Sequence, residues 1–256
     1  MELVAGLLVF VVGRHVLDGR ALVEKGIGTG SMTQAFFIAG TDTGIGKTHA
    51  ACSLIHAWRA AGRSVCGMKP VASGCAETPH GLRNDDALAL LAASSEPSAA
   101  YAEINPIALR EPLSPHLAAL HESVTITLPP LRTAFDALSA RYDTVIVEGV
   151  GGWRVPLSME LFASDIAKAW SLPVVLVVGL RLGCLSHALL TAEAILADGC
   201  RLAGWIGNRV DPQMDAVEEN IDTLRTLLPA PCLGILPHGV APERASVLLA
   251  LSALGA

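Results

Sequence analysis

Residues 36–55 read FFIAGTDTGIGKTHAACSLI, and the order of their parts decides the fold. An apolar run, Phe36 to Ala39, stops at Gly40. A polar, glycine-containing turn follows, and Gly46-Lys47-Thr48 then opens a run compatible with a helix. Strand, glycine-rich turn and helix start together make an anion cradle, because successive backbone N–H groups converge there on negative charge. Lys47 adds a point charge for the outer phosphates of a nucleotide, and the Thr48 hydroxyl suits Mg²⁺. Five residues separate Gly40 from Gly46, one more than the usual four, so a strict pattern search passes over the loop. The plainer alternative is a strand–turn–helix with a surface lysine, and it leaves the full ordered set of parts unexplained.

Outward from this loop, short β-rich runs alternate with helical ones. Strands are expected at Ala35–Ala39, Ser64–Pro70, Thr144–Glu148, Pro173–Gly179, Leu202–Asn208 and Cys232–Leu236. Several are continuous apolar runs, such as PVVLVVG (173–179), which is how strands buried on both faces of a parallel sheet read. Helices are expected at Lys47–Ala61, Asp85–Ala93, Pro130–Ala140, Phe162–Trp170, Ser186–Ala197 and Ala216–Leu227. Pro129-Pro130 fits a helix start, and Gly62 and Gly199 fit C-caps. With no internal repeat and no change of composition, the pattern predicts one doubly wound α/β domain of the P-loop type, its mainly parallel sheet flanked by helices.

The 256 residues are 52% apolar and 16% charged, a globular composition, and the net charge of -6 comes without any Lys/Arg block. A nucleic-acid footprint is therefore not expected. The six cysteines are scattered without a C-x-x-C pair, so they read as reduced thiols, mostly in the core, of a cytoplasmic protein. The apolar stretch Leu3–Gly13 is shorter than the roughly 20 residues a bilayer requires. It also lacks the basic flank and A-x-A site of a signal peptide, so no membrane partner is expected. Residues 1–31 end in the linker-like GIGTGS (26–31) and are expected to lie outside a fold spanning 32–256.

A metal held by one hydroxyl needs carboxylates beside it. Glu148 closes the apolar strand TVIVE and precedes Gly149-Val150-Gly151-Gly152, whose glycines let backbone approach a ligand. Asp85-Asp86, after Arg83-Asn84, supply further acids. On residue type alone they serve equally well as the acidic first turn of a helix.

Taken together, GTDTGIGKT (40–48), KPVASG (69–74), GLRNDDALAL (81–90), NPIALREPLSPH (105–116), VEGVGGW (147–153), LPVVLVVGLRLGCLSHALLTAE (172–193) and LAGWIGN (202–208) resemble the dethiobiotin synthetase family. The resemblance implies a homodimeric ATP-dependent ligase acting on 7,8-diaminononanoate and CO₂ with Mg²⁺. It assigns Lys47 and Lys69 to catalysis. Gly44, Ile45, Gly46, Lys47, Thr48, Asp86, Glu148, Asn208, Pro237 and Glu243 would bind ATP, with Thr48, Asp86 and Glu148 linked to the metal. Thr43, Ser73, Gly151 and Gly152 would border the substrate. Leu182 and Gly183, at the helix start Gly183–His187, would receive the substrate carboxylate of the partner subunit. His187 is expected to pack or cap, and Trp153 either to line the alkyl chain or to join the core.

The competing reading is a nucleotide-switched ATPase of the partition or cell-division-site type. Such proteins carry a second lysine at the start of the phosphate loop, where this chain has Thr41-Asp42, and they need a basic surface or tail, whereas Ser246–Ala256 holds no charge.

Overall fold

The computed structural model describes residues 33–255, and the expected extension over residues 1–31 lies outside that range. The chain enters through β1 (Gln34–Gly40), turns through the glycine-rich loop into α1 (Lys47–Ala60), and returns as β2 (Val65–Met68). A subsidiary region follows, comprising β3 (Val71–Ala72), the hairpin β4 (Ala76–Thr78) and β5 (Gly81–Arg83), α2 (Asp85–Ala93), α3 (Tyr101–Ile104), β6 (Ile107–Ala108) and α4 (Pro115–His121). The regular alternation then resumes with α5 (Leu128–Ser139), β7 (Thr144–Glu148), α6 (Ala163–Ala169), β8 (Val174–Gly179), α7 (Cys184–Ala197) and β9 (Leu202–Asn208). It closes with α8 (Val217–Leu227), β10 (Cys232–Leu236) and α9 (Pro242–Ala245).

Six strands pair in the order β10-β9-β8-β1-β7-β2, and every pairing is parallel. All six residues of β8 are buried. A fully buried Val or Leu stabilises by roughly 1.5–3 kcal/mol, so a continuous apolar run gains on both faces what an alternating one gains on a single face. Phe36 stacks on Trp58 of α1 on one side of β1. Phe37 meets the edge of Trp153 on the other.

The pairing register brings the carboxyl ends to one rim. Ile38 lies beside Glu148, Gly40 beside Val177, Gly179 beside Asn208, and Leu236 also beside Asn208. β1 is flanked by β7 on one side and β8 on the other, so the chain reverses its direction of travel across the sheet here. In open α/β sheets the ligand crevice lies at such a switch point.

The expected strand over Ser64–Pro70 is shorter than expected, because Pro70 has no N–H to continue the ladder. The chain bends there and Val71-Ala72 pair with β6 in a separate two-stranded sheet. α7 starts at Cys184 rather than Ser186, since Gly183 in the left-handed region ends the preceding turn. α5 takes in both prolines of its first turn and starts at Leu128. Gly62 and Gly199 take the left-handed conformation just past α1 and α7, as C-cap residues do.

The outer side of β2 is not left bare. Val65 N–H donates to Ser95 Oγ, Gly67 N–H to Ser94 Oγ and Lys69 N–H to the Ile104 carbonyl, while Ser95 N–H donates to the Val65 carbonyl.

Candidate active site

The phosphate loop is shaped around its lysine. The Lys47 stem crosses Gly40, where an added Cβ would lie 2.8 Å from Lys47 Cδ, and Lys47 Nζ donates to the Asp42 carbonyl at 2.8 Å. Gly46 stands at φ +82, a conformation costly for other residues, and a Cβ there would fall 2.0 Å from Asn208 Nδ2. That amide donates to the Ile45 carbonyl at 2.9 Å, so Asn208, from the end of β9, fixes the loop backbone directly. The first turn of α1 carries no side-chain cap and no acid, which leaves its unpaired N–H groups and dipole available to an anion.

Opposite the loop, the ends of β2 and β7 and the first turns of α1 and α2 contribute a polar cluster, buried at Lys69 and Glu148. Thr48 Oγ1 donates to Glu148 Oε1 at 2.9 Å, and Lys69 Nζ donates to the same oxygen at 2.6 Å. Lys69 Nζ also donates to Asp86 Oδ2 at 2.9 Å. Asp86 is thus drawn into the cluster, while the helix cap proper is Asn84, whose Oδ1 accepts from Ala87 N–H. The two meanings open for the Asp85-Asp86 pair are therefore compatible.

Burial sets the electrostatics. Burial pushes the Glu148 carboxyl above the usual carboxylate range, with the Lys69 ammonium as the main opposing influence. Burial opposes the charge on Lys69, but Glu148 and Asp86 outweigh it and hold its pKa above the ordinary lysine value. Burial also opposes ionisation of Asp86, which Lys69 more than offsets, so that carboxyl lies low. Lys47 lacks so close a carboxylate. Burial, then the neighbouring Lys69, brings it down to about 8.

The oxygen set suits Mg²⁺. One hydroxyl and two carboxylates are hard donors, and Mg²⁺ completes its shell with water and phosphate oxygens rather than an all-protein cage. Glu148 Oε2 is buried without a hydrogen-bond partner, an orphaned acceptor that a cation would satisfy.

Thr43, Gly44, Gly46, Lys47, Thr48, Lys69, Ser73, Asp86, Glu148 and Gly151 line one cavity of about 650 Å³. A second recess shares Gly44 and Gly46 and adds Asn208 and Pro237 together with His49, Arg209 and the turn His238–Val240. His49 Nε2 donates to the Val240 carbonyl at 2.7 Å and ties this turn to α1. Ile45, expected at the nucleotide, lines neither cavity: its side chain is buried and its carbonyl accepts from Asn208. Gly152 lies in an adjoining cleft with Thr43, Trp153, Arg154 and Val155.

Other expected residues stand apart. Glu243 faces His56 at 3.4 Å and lines neither cavity. Leu182 and Gly183 form the exposed β8–α7 turn, and the neighbouring Arg181 pairs with Asp42 of the loop. His187 is exposed on α7 rather than packed. Trp153 is core, with its Nε1 donating to Asp198 Oδ2 at 2.8 Å.

Sequence reasoning did not single out Ala72, Asn84, Pro112–Pro115, Val150 or Val155 as cavity walls. The first seven come from short or irregular segments with no periodic signal. Val155 has one retrospective clue, namely that it fills the space a side chain at Gly151 would need, 2.6 Å from an added Cβ.

Comparison with known proteins agrees with this geometry. A family model described as an AAA domain matches residues 34–242. The chain is 58% identical to the ATP-dependent dethiobiotin synthetase BioD of Xanthomonas oryzae over 203 residues, 79% of this chain and 90% of that protein. It is 53% identical to the protein of the same name from Xylella fastidiosa over 204 residues, 80% of this chain and 90% of that one. Among solved structures, the MinD cell division protein of Aquifex aeolicus superposes with a TM-score of 0.54 at 15% identity, over 88% of this chain and 98% of that one, a likeness of fold alone. Loop, rim chemistry and relatives lead to one conclusion: the chain belongs to the family of ATP-dependent dethiobiotin synthetases.

Proposed function

We propose that this ligase joins CO₂ to 7,8-diaminononanoate and closes the ureido ring of dethiobiotin, using MgATP. One amine nitrogen attacks the carbon of CO₂ and releases a proton, giving a carbamate. A carbamate oxygen attacks the γ-phosphorus as the bond to ADP breaks, giving a carbamic-phosphoric anhydride. The second amine then attacks the carbonyl carbon and expels phosphate, releasing one proton to solvent and keeping one as the ureido N–H.

The observation that carries this reading is the placement of two lysines from different loops on one cavity, Lys47 in the phosphate cradle and Lys69 between Glu148 and Asp86. Phosphoryl transfer is chiefly positioning and neutralisation, because negative charge crowds the acceptor and the γ-phosphate together. Lys47 is suited to the nucleotide phosphates, and Lys69 to the carbamate as well as the γ-phosphate. Thr48, Asp86 and Glu148 would hold Mg²⁺, which supplies charge neutralisation on the phosphate oxygens. Thr43, Ser73, Gly151 and Gly152 border the diamine, and Asn208 with Pro237 the adenine. No protein base is required beyond the substrate amine.

The exposed Leu182 and Gly183 at the start of α7 support a two-fold dimer in which each subunit lends this turn to its partner's substrate carboxylate. Residues 1–31 are assigned outside the catalytic fold, and the protein to the cytoplasm. Among the described residues no helix is long and apolar enough to cross a membrane.

The test is phosphate release from ATP across separate titrations of diamine and bicarbonate. Release that requires both supports the reading. Release that ignores them but responds to lipid vesicles or DNA overturns it in favour of a switch ATPase.

A further inference from the structure

Lys69 and Asp86 arrive at the cavity from different segments, yet meet at 2.9 Å. Both segments are gripped from behind by one chain of hydrogen bonds whose middle members, Tyr101 and Asn105, do not line the cavity. Asn105, buried at 3% exposure, donates from Nδ2 to the Lys69 carbonyl at 2.8 Å and to the Ile107 carbonyl at 3.1 Å. Its Oδ1 accepts from the Tyr101 hydroxyl at 3.1 Å. That hydroxyl in turn accepts from Asn84 N–H at 2.8 Å. Asn84 caps α2, the helix that carries Asp86, and its Nδ2 reaches the Ser73 carbonyl at 3.4 Å. The Arg83 guanidinium lies 4.1 Å over the Tyr101 ring and holds it in place.

Every polar atom of the Asn105 side chain is thus used, and the Tyr101 hydroxyl bonds on both of its sides. The links run Ser73, Asn84, Tyr101, Asn105, Lys69, and the Lys69–Asp86 ion pair closes them into a ring. Three segments far apart in sequence are locked at one separation. For a general structural need, a buried apolar contact would serve at lower desolvation cost, since a buried amide must find all its partners. A fully satisfied polar ring instead fixes distance and direction.

We propose that Tyr101 and Asn105 are positioning residues for the ligase reaction, setting the spacing of Lys69 and Asp86 and so the metal-linked carboxylate and the carbamate lysine together. This rests on the reading of the site given under Proposed function. Neither residue touches a reactant. They act through the two that do, as the outer partners of metal ligands commonly do.

Tyr101→Phe removes one oxygen and keeps the ring and its Arg83 contact. Mn²⁺ affinity is measured by paramagnetic resonance on the full chain with ADP, beside metal-free ADP affinity, melting temperature, and kcat and KM with diamine. Mn²⁺ affinity is expected to fall about tenfold, as for other lost outer partners, and kcat with it. Metal-free ADP affinity and the KM for ATP should stay within about twofold. In an Asp86→Asn background the same change should no longer affect Mn²⁺, because the coupling runs through that carboxylate. Asn105→Asp, which sets an anion against two carbonyls, should reproduce the effect, and its Mn²⁺ reading is taken per folded molecule. A lowered melting temperature with unchanged Mn²⁺ affinity and kcat per folded molecule, or an undiminished effect in the Asp86→Asn background, overturns the proposal. The Mn²⁺ readout stands even if wild-type protein fails to use the diamine, an outcome that would count against the proposed reaction alone.

Discussion

Replacing Lys69 by Gln removes a buried ammonium that two carboxylates share. Lys69 Nζ lies 2.6 Å from Glu148 and 2.9 Å from Asp86, and both Lys69 and Glu148 are almost wholly buried. Losing one partner of a buried pair costs about 3–5 kcal/mol. The Gln amide can still donate to one carboxylate, which places the expected loss near the lower end. For a domain of about 150–250 residues each kcal/mol moves the melting point by roughly 2–4 °C, so a fall of about 6–12 °C is expected. The loss should depend on pH with a defined sign. Burial already holds the Glu148 carboxyl above the usual range, and Lys69 is the main influence opposing it, so its removal raises the value further. A carboxyl with a folded pKa above its unfolded value of about 4.3 favours the protonated folded state. Its stability is kept at low pH and lost as pH rises through the folded value. Melting of wild type and variant at about pH 8 and about pH 5.5 should therefore show the larger deficit at the higher pH. A deficit that is equal at both, or larger in acid, would falsify the assignment of Lys69 as the counter-charge of Glu148. In the same samples, nucleotide affinity should hold within a few-fold while diamine-dependent turnover falls by about a hundredfold or more. Lost nucleotide affinity with unchanged bicarbonate dependence would instead make Lys69 a second nucleotide lysine.

Lys47 titrates near 8 in the free protein, lowered by burial and then by Lys69, and only its charged form attracts phosphate. Nucleotide affinity should therefore weaken as pH rises past about 8, with proton uptake on binding visible by calorimetry in buffers of different ionisation enthalpy; binding without uptake refutes it. Gly46→Ala forces a left-handed residue against Asn208, at about 1–2 kcal/mol for the backbone alone. It should lower the melting point and weaken nucleotide binding together, and unchanged binding would remove Asn208 from its role as loop support. Leu182→Asp, at a fully exposed turn, should leave the subunit folded but shift sedimentation from dimer to monomer and cut turnover by about tenfold. A fully active monomer would refute the shared site.

The parts of the fold that were legible in the sequence are those governed by local rules. Thr144–Glu148 and Leu202–Asn208 have the bounds their largely apolar runs predict, because interior parallel strands are buried on both faces, and the half-buried border strand Cys232–Leu236 keeps its expected bounds too. The phosphate loop was legible because its glycines, lysine and threonine are consecutive. What escaped depends on distant chain segments. Nothing near Asn105 in sequence reveals that it grips Lys69, and nothing near Asn208 shows that its amide holds Ile45. The wall from Pro112 to Pro115 belongs to an irregular stretch before a short helix, where neither period applies. Glu148 reads in the sequence as a metal-linked carboxylate beside glycines, but its burial and its contacts with Thr48 and Lys69 depend on other segments.

The serine-sealed side of β2 has a consequence for self-association. A border strand with free N–H and C=O groups invites another chain to continue the sheet, the common route to aggregation. Here Ser94, Ser95 and Ile104 already occupy those groups at Val65, Gly67 and Lys69. Growth by strand addition at this border would first have to strip the residues following α2 away from the sheet. Fibre-like stacking of copies along this border is thereby disfavoured, and Lys69, just past the strand, is shielded from an intruding backbone.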